Sequence, residues 1–381
     1  MKRRQLLLGS GSVLAAGLLG MQHFAGQSAT SGLLLSAYTT PEGKHFIAGV
    51  GRNGEDVFAL EVPWRAHDSL ALPGNQQALF FARRPGTRAY VVDLNRGTLQ
   101  HTITSAPNRH FYGHGCVSVD GRHLFTTENN IDNSSGCIGI YDIRSGFKRL
   151  GEWHSHGIGP HQLALLNDGR TLAVANGGIQ THPERGRDKL NLDTMQPSLA
   201  YVDSESGTLI DAFLPPHHQQ SIRHLAVAPD DSVVVAVQFQ GDPDTLLPLA
   251  YQHAGEQQLQ PLAEDEMIWQ RHQQYTGSVC ISDDGHRALL SSPRGGIVSA
   301  WDLRERKLLS IIKQRDGAGV AFDPNSREFA LSNGQGQITS VGAADLLQNR
   351  QHSHYFAGRR WDNHMNYVSE NHSSQNHSSQ T

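Results

Sequence analysis

The stretch Cys116-Val-Ser-Val-Asp-Gly-Arg-His-Leu-Phe125 joins two short apolar segments through an Asp-Gly turn. Asp-Gly pairs favour the tight turns of β-hairpins, and apolar segments of this length are typical of strands. A third apolar segment, Ile138-Gly-Ile-Tyr-Asp142, follows and ends in an aspartate before another turn. The combined pattern predicts a small antiparallel β-sheet.

The same pattern recurs along the chain. The first turn of each repeat lies at position 42, 74, 120, 168, 230, 284 or 325, so successive first turns are 32 to 62 residues apart. Propeller blades repeat every 40 to 50 residues or so, roughly the same spacing, and helical periodicity is scarcely visible between the turns. The sequence therefore predicts an all-β, seven-bladed β-propeller of the WD40/YVTN-like type. How the ring closes is left open.

The two ends of the chain differ from the repeat. An arginine pair at positions 3 and 4 precedes a moderately apolar run, which predicts a signal peptide over residues 1–29, of the twin-arginine type or the ordinary secretory type. A single propeller is expected over residues 33–368. Residues 369–381 are rich in His, Ser and Gln, and we expect them to be disordered. These features predict a periplasmic protein that meets a membrane only through the export machinery or a retained signal.

Composition excludes several functions. The formal net charge is −4 and no basic run follows the signal, so we expect no nucleic-acid partner. The three cysteines, Cys116, Cys137 and Cys280, cannot all pair and are predicted to be buried thiols. No Cys-x-x-Cys-His motif occurs, which excludes c-type haem. A metal ion would need other ligands, and the chain has 22 histidines.

Three histidines occupy similar places in consecutive blades. His114 and His224 lie six residues before a turn aspartate, and His161 lies seven residues before one. The first strand of each blade lines the channel of a propeller, so we expect these side chains to meet and to hold a transition metal such as Fe, Cu or Zn. The offset of one residue opposes this, since neighbouring strand residues face opposite sides. Hydrogen bonding to backbone carbonyls between blades is the alternative role. The expected supporting histidines are His110, His156 and His182.

Three further residues are candidates for ligand binding. Arg223 is next to His224 on a predicted inner strand, where burial without a partner would be costly, so it calls for a carboxylate ligand or an internal acidic partner. Arg185 lies in a charged insertion that could cap the channel and attract an anion, or could be a solvated loop. Asp193 offers a carboxylate to the same site.

Several long and unusual strings resemble the DUF1513 family from about Leu33 to His364. They include Arg109-His-Phe-Tyr-Gly-His-Gly, His156-Gly-Ile-Gly-Pro-His, Asn176-Gly-Gly-Ile-Gln-Thr-His-Pro, Lys189-Leu-Asn-Leu-Asp-Thr-Met and Ser221-Ile-Arg-His-Leu. The resemblance implies a periplasmic, twin-arginine-exported propeller similar in form to the amine dehydrogenase heavy chain. It also implies an association with iron-uptake components, and it implies no established activity.

The residues and the resemblance together favour a binding or scaffold propeller that serves metal acquisition, in particular of iron, with periplasmic iron-uptake components as partners. One alternative is a metal-dependent oxidoreductase or a lactonase-like enzyme in the same channel. Another is a platform for protein interactions. No Gly-x-Ser-x-Gly motif occurs and no residue stands out as catalytic, so the sequence does not decide whether the protein is an enzyme.

Overall fold

The computed structural model describes residues 32–263, 265–348 and 350–369. Across these residues the chain forms seven four-stranded antiparallel sheets, which are the blades of a β-propeller around a common axis. The predicted all-β, seven-bladed fold is confirmed. The predicted signal peptide and residues 370–381 of the predicted tail lie outside the described residues.

The strands are numbered in chain order. Blade 1 begins with β1 (Leu33–Thr39), β2 (His45–Gly51) and β3 (Asp56–Val62). Blades 2 and 3 contain β4 (Ala66–Ala71), β5 (Gln77–Ala82), β6 (Arg88–Asp93), β7 (Thr98–Thr104), β8 (Arg109–Val117), β9 (His123–Asn130), β10 (Gly136–Asp142) and β11 (Lys148–His154). Blades 4 and 5 contain β12 (Pro160–Leu165), β13 (Thr171–Asn176), β14 (Ser198–Asp203), β15 (Leu209–Phe213), β16 (Gln220–Val227), β17 (Val233–Phe239), β18 (Ala250–His253) and β19 (Gln260–Pro261).

Blades 6 and 7 contain β20 (Val279–Ile281), β21 (Arg287–Ser292), β22 (Ile297–Asp302), β23 (Lys307–Lys313), β24 (Gly317–Asp323), β25 (Glu328–Asn333), β26 (Gln337–Gly342) and β27 (Gln351–Tyr355). The last strand is β28 (Arg360–Val368). A 3-10 helix (Pro183–Arg185) and a short helix α1 (Glu266–Gln270) lie in connections between strands. Among the described residues, no helix is long and apolar enough to cross a membrane.

Blade 1 combines the two ends of the described chain. β28 pairs antiparallel with β1, from Leu33 opposite Val368 to Thr39 opposite Arg360, and it is the innermost strand of the blade. The first strand in the sequence is therefore the second strand of its blade. This corrects the expectation that the first strand of every repeat lines the channel, because in blade 1 the lining strand comes from the far end of the chain.

Aspartates at the ends of third strands hold the turns that follow them. Asp93 Oδ1 accepts hydrogen bonds from the backbone N–H groups of Asn95 and Arg96, both at 3.0 Å. Such a side chain satisfies turn N–H groups that have no partner in the sheet, which explains the recurrence of aspartate at this position. The same arrangement follows Asp142, Asp203 and Asp302.

Apolar second strands fill the space between the blades. All seven residues of β17 are buried, and the core beside this strand includes Trp269 and Trp301, whose rings stack with centroids 4.9 Å apart. β-Branched and aromatic residues suit such strands because both faces of a propeller blade pack against its neighbours. The close packing of the blades holds the inner strands in fixed positions around the channel.

The cysteines are free thiols, as predicted. Burial raises the pKa of Cys280 to about 12, and it raises the pKa of Cys137 to about 11, with a further contribution from the negative charge of Glu152. Burial also raises the pKa of Cys116. All three are therefore protonated at neutral pH, and none belongs to the ligand sets formed by the histidines.

Replacing Trp361 with alanine tests the seam between β28 and β1. Trp361 is 3% exposed and packs edge-on against Tyr38 and Phe356, with ring centroids 5.4 and 5.3 Å away. We expect Trp361→Ala to lower the free energy of unfolding in urea by about 3 to 5 kcal/mol, since it leaves a large cavity. The control Trp64→Ala alters a side chain that is 59% exposed and should change stability by less than about 0.5 kcal/mol. Similar small losses in both variants would contradict a stabilising seam.

Candidate metal centre in the channel

Five histidines from the inner strands of blades 1 to 5 meet in the channel. They are His67 on β4, His114 on β8, His161 on β12, His224 on β16 and His364 on β28. Taken in the order His67, His114, His161, His224, His364 and back to His67, neighbouring imidazole rings have centroids 4.5 to 5.2 Å apart. These residues form the histidine cluster. The structure thus brings together the three histidines predicted from the sequence and adds two more.

β-Bulges in the inner strands bring these side chains to one place. The pairing register shifts between Pro160 and Gln162 beside His161, and between Ile222 and His224 in the next blade. Similar shifts occur in β4, β8 and β28 near their histidines. A bulge adds an unpaired residue and redirects neighbouring side chains. The one-residue offset in sequence position therefore does not separate His161 from the others.

A glycine next to His114 allows the rings to pack closely. Gly113 has φ +111°, and a Cβ at this position would lie 2.6 Å from Cδ2 of His67. Any other residue would be strained in this conformation and would collide with the neighbouring imidazole. The backbone of β8 therefore forms one wall of the space occupied by His67.

The cluster contains two overlapping sets of potential metal ligands. His67, His114 and His161 form one set, and His114, His224 and His364 form the other, with the ligand nitrogens of each set within 4.8 Å of one another. Buried ring nitrogens without a hydrogen-bond partner include His67 Nδ1, His114 Nε2, His161 Nδ1 and His364 Nε2. Leaving a buried polar atom unpaired is costly, so such a concentration of unpaired nitrogens calls for an explanation.

A carboxylate fixes the orientation of His114. Its Nδ1 lies 2.7 Å from Asp68 Oδ2, and Asn366 Nδ2 donates a hydrogen bond of 2.7 Å to the other oxygen of Asp68. Burial acts to raise the pKa of Asp68, but the charge and hydrogen bond of His114 hold that pKa well below its usual range. Because ionised Asp68 can only accept, His114 donates from Nδ1, and the neutral form of its ring keeps a lone pair on Nε2.

Gln162 does the same for His224. The Oε1 atom of Gln162 accepts a hydrogen bond from the Leu225 backbone N–H at 3.1 Å and lies 3.3 Å from His224 Nδ1. An amide oxygen can only accept, so His224 also donates from Nδ1. Its Nε2 then carries the lone pair that a metal ion requires.

Four of the five cluster histidines have lowered pKa values and are uncharged at neutral pH. Burial, and then the charge of a neighbouring histidine, lowers the pKa of His364 to about 4. The same two causes, in the same order, hold the pKa values of His67, His161 and His224 well below the usual range. Neutral imidazole is the form that binds transition metals, so these side chains need not lose a proton first.

The structure does not bring the three supporting histidines into these ligand sets. His110 is buried with Nδ1 3.1 Å from the Phe111 carbonyl, and burial lowers its pKa to about 4. His156 Nε2 lies 3.0 Å from the Gly207 carbonyl, and His182 Nδ1 accepts the N–H of Glu184 at the start of the 3-10 helix. Each instead contacts the backbone: His110 and His156 contact carbonyl groups, whereas His182 accepts from an N–H group.

The three predicted ligand-binding residues differ in position. Arg223 is partly buried beside His224, and its Nε has no hydrogen-bond partner. Arg185 is exposed and pairs with Asp188 at 3.4 Å, and Asp193 is exposed on the same insertion. Only Arg223 therefore adjoins the histidine cluster.

Sequence reasoning missed His67 and His364. His67 lies seven residues before the turn at Gly74, the same distance that separates His161 from its turn, so the register signal was present. His364 has no such signal, because β28 comes last among the described strands and no described hairpin follows it. Its role emerges only once ring closure is known.

A cavity of about 400 Å³ adjoins the cluster on the side where the inner strands end. Its lining includes His364 and the two residues that orient cluster histidines, Asp68 and Gln162. Blades 6 and 7 contribute apolar wall residues, among them Val279 and Phe322. A small molecule in this cavity would lie beside the histidines.

The buried histidines make the metal-free protein sensitive to acid. Between about pH 4 and pH 6.5 His364 binds a proton in the unfolded state but not in the folded state, and the lowered pKa values of His67, His161 and His224 act in the same direction, so stability falls as the pH falls. Each such group contributes up to about 1.4 kcal/mol per pH unit. We expect His364→Gln to reduce the slope of unfolding free energy against pH, whereas His352→Gln on exposed strand β27 should keep it. Equal slopes for the wild type and His364→Gln would rule out a neutral buried imidazole. Urea unfolding at pH 5 to 7 measures the slopes.

Comparison with known proteins supports the fold and gives the family. A chain of the Kuenenia stuttgartiensis hydrazine synthase has a TM-score of 0.59 and 15% sequence identity, with 84% of this chain and 94% of that chain covered. At this identity the likeness shows the fold alone. No match was found among curated proteins. The model of the family described as "Protein of unknown function (DUF1513)" matches residues 60–368. Because this match spans most of the chain, the protein belongs to the DUF1513 family.

Proposed function

We propose that this protein is a binding propeller whose histidine cluster holds a transition-metal ion. The observation that carries the proposal is the convergence of unpaired, buried imidazole nitrogens from separate blades. Two of the histidines are oriented by Asp68 and Gln162, which resembles the second layer of contacts around ligand histidines in metal proteins. A bound ion would give the free lone pairs a partner and offset the cost of burying them.

The donor atoms indicate a class of metal. Both ligand sets consist of imidazoles, without thiolate or carboxylate among their members. Imidazole suits Zn, Cu and Fe, whereas Mg and Ca prefer oxygen ligands. Imidazole nitrogens bind zinc at about 2.0 to 2.1 Å, so small rotations of the rings suffice to close a set around one ion.

We further propose that the protein acts in the periplasm in metal acquisition, with iron as the foremost cargo and iron-uptake components as partners. The arginine pair at positions 3 and 4 supports export, and the family resemblance supports the link with iron. A binding or carrier role fits a site built on rigid inner strands, since such strands hold ligands in place without a large rearrangement.

An enzyme in the same channel is the second candidate, either a metal-dependent oxidoreductase or a lactonase-like hydrolase. The cavity of about 400 Å³ beside His364 favours it, because a substrate there could reach an open position on the ion. Turnover of lactone or redox substrates by metal-loaded protein, lost in a His364→Ala variant, would support this candidate. A metal-loaded protein without turnover of either class would leave the binding role.

Removing His114 should abolish metal binding, because this residue belongs to both ligand sets. We expect wild-type protein without residues 370–381 to retain about one transition-metal ion per chain, measured by elemental mass spectrometry after export and purification without a tag. His114→Ala should lose that ion while its circular dichroism stays that of a folded β protein, and His352→Ala on exposed β27 should keep it. A folded wild type that takes up no Fe, Cu or Zn even when these ions are supplied would refute the proposal.

Replacing Asp68 with asparagine should weaken metal binding without removing a ligand. The hydrogen bond to His114 Nδ1 orients the ring and makes it more basic, and loss of such contacts typically reduces metal affinity about 10- to 100-fold. Competition with a chromophoric chelator measures this change. Asp93→Asn, at a turn outside the channel, provides a matched control and should leave affinity unchanged. An unchanged affinity in Asp68→Asn would place the metal away from His114.

A further inference from the structure

The end of the channel where the inner strands begin is lined by arginines. The loops that follow the second strands lie at this end, because β5 ends opposite the beginning of β4 and β13 ends opposite the beginning of β12. Arg83 and Arg84 follow β5, and Arg187 belongs to the insertion after β13. Arg223 reaches the same end from the bulge of β16, directly before His224. Four arginines from three blades therefore lie at the end of the propeller where the inner strands begin, and one of them is next to a cluster histidine.

The charges of two of these arginines act on the side chain of Tyr112. Its side chain is buried, and its hydroxyl donates a hydrogen bond to Asn129 Oδ1 at 3.2 Å. Burial raises the pKa of Tyr112, while the charges of both Arg84 and Arg223 lower it. Burial followed by the charge of Arg84 lowers the pKa of Arg223 to about 10. The charges of Arg84 and Arg223 therefore both act on one buried phenol, and the two guanidinium groups repel each other.

Acidic partners do not compensate these charges. Within the described residues, no carboxylate lies within 4 Å of the guanidinium nitrogens of Arg84, Arg187 or Arg223. Ion pairs shorter than this distance do occur elsewhere in the propeller. The nearby carboxylate of Asp362 is already held by Arg65, with Arg83 3.9 Å away. The Nε of Arg223 is buried with no hydrogen-bond partner. The internal acidic partner considered from the sequence is thus missing among these residues.

We propose that this arginine-lined mouth binds the oxyanion of a small molecule, a carboxylate or a phosphate. A guanidinium offers several N–H donors in one plane and matches two oxygens of either group. An anion between Arg84 and Arg223 would satisfy the free Nε and remove the repulsion between the two charges. The inference goes beyond the proposed metal site and does not depend on it.

The charge distribution of the protein supports the same conclusion. The chain has a formal net charge of −4, yet three partly buried arginines, Arg83, Arg84 and Arg223, and the exposed Arg187 lie at this end of the channel. Holding like charges together lowers the stability of the folded protein. A protein keeps such a destabilising arrangement where the charges serve binding. A positively charged entrance with low-dielectric walls also attracts anions and raises their rate of association.

Anion binding can be measured on the metal-free protein. Inorganic phosphate and malonate, titrated separately by calorimetry in a low-salt buffer, distinguish the two oxyanion classes. We expect at least one of them to bind wild-type protein, and Arg223→Gln and Arg84→Gln each to weaken it at least about tenfold, as loss of a charge-assisted hydrogen bond does. The control Arg96→Gln alters an exposed arginine in the turn between β6 and β7, at the other end of the channel, and should bind as wild type does.

A second measurement separates binding from a structural role. Without added anion, Arg223→Gln should have a urea midpoint equal to or higher than that of wild type, because it removes a buried unpaired charge. A lower midpoint in Arg223→Gln, or unchanged affinity in both arginine variants, would overturn the inference, as would a wild type that binds neither anion. The His114→Ala variant should bind the anion normally, so failure of the metal site is seen separately.

Discussion

The antiparallel ladder between β28 and β1 joins two segments more than 300 positions apart and completes blade 1. Without it the ring would have an open edge, and the inner strands would lose the lateral support that keeps them parallel around the axis. The same strand supplies His364, along with Asp362 beside His67 and Asn366 behind Asp68. Closure of the fold and assembly of the candidate site are therefore one structural event.

The channel has three layers of different chemistry along its axis. Arginines lie where the inner strands begin, imidazoles lie in the middle, and a cavity with apolar walls from blades 6 and 7 lies where the strands end. Burial accounts for much of this arrangement, because it lowers the pKa of His67, His161, His224 and His364 and makes each unpaired guanidinium costly. An anion and a metal ion could therefore occupy neighbouring layers without competing for the same ligands.

Much of the fold could be predicted from the sequence because its signals are local. A hairpin turn such as Asp120-Gly121 needs only adjacent residues to specify it, and its repetition sets the number of blades. The lining of the channel was only partly predictable. Counting back from turns identified His114, His161 and His224, but the β-bulges that aim them depend on pairing between strands.

Other parts of the site depend on packing that a sequence pattern does not contain. Asp68 could not be recognised as the partner of His114, because the two residues are 46 positions apart on neighbouring blades. The role proposed for Arg84 depends on Arg223, which comes from another blade and acts together with Arg84 on the pKa of Tyr112. Such contacts become visible only when the blades are placed side by side.

The position of His364 near the end of the chain also has a consequence in time. Domains of a chain generally fold in the order of their synthesis, from the N-terminus onward, and β28 comes last among the described strands. Blades 2 to 5 supply four of the imidazoles, yet the ring of five is complete only after β28 has paired with β1. A chain cut before β28 would therefore lack both the closed ring and the fifth imidazole.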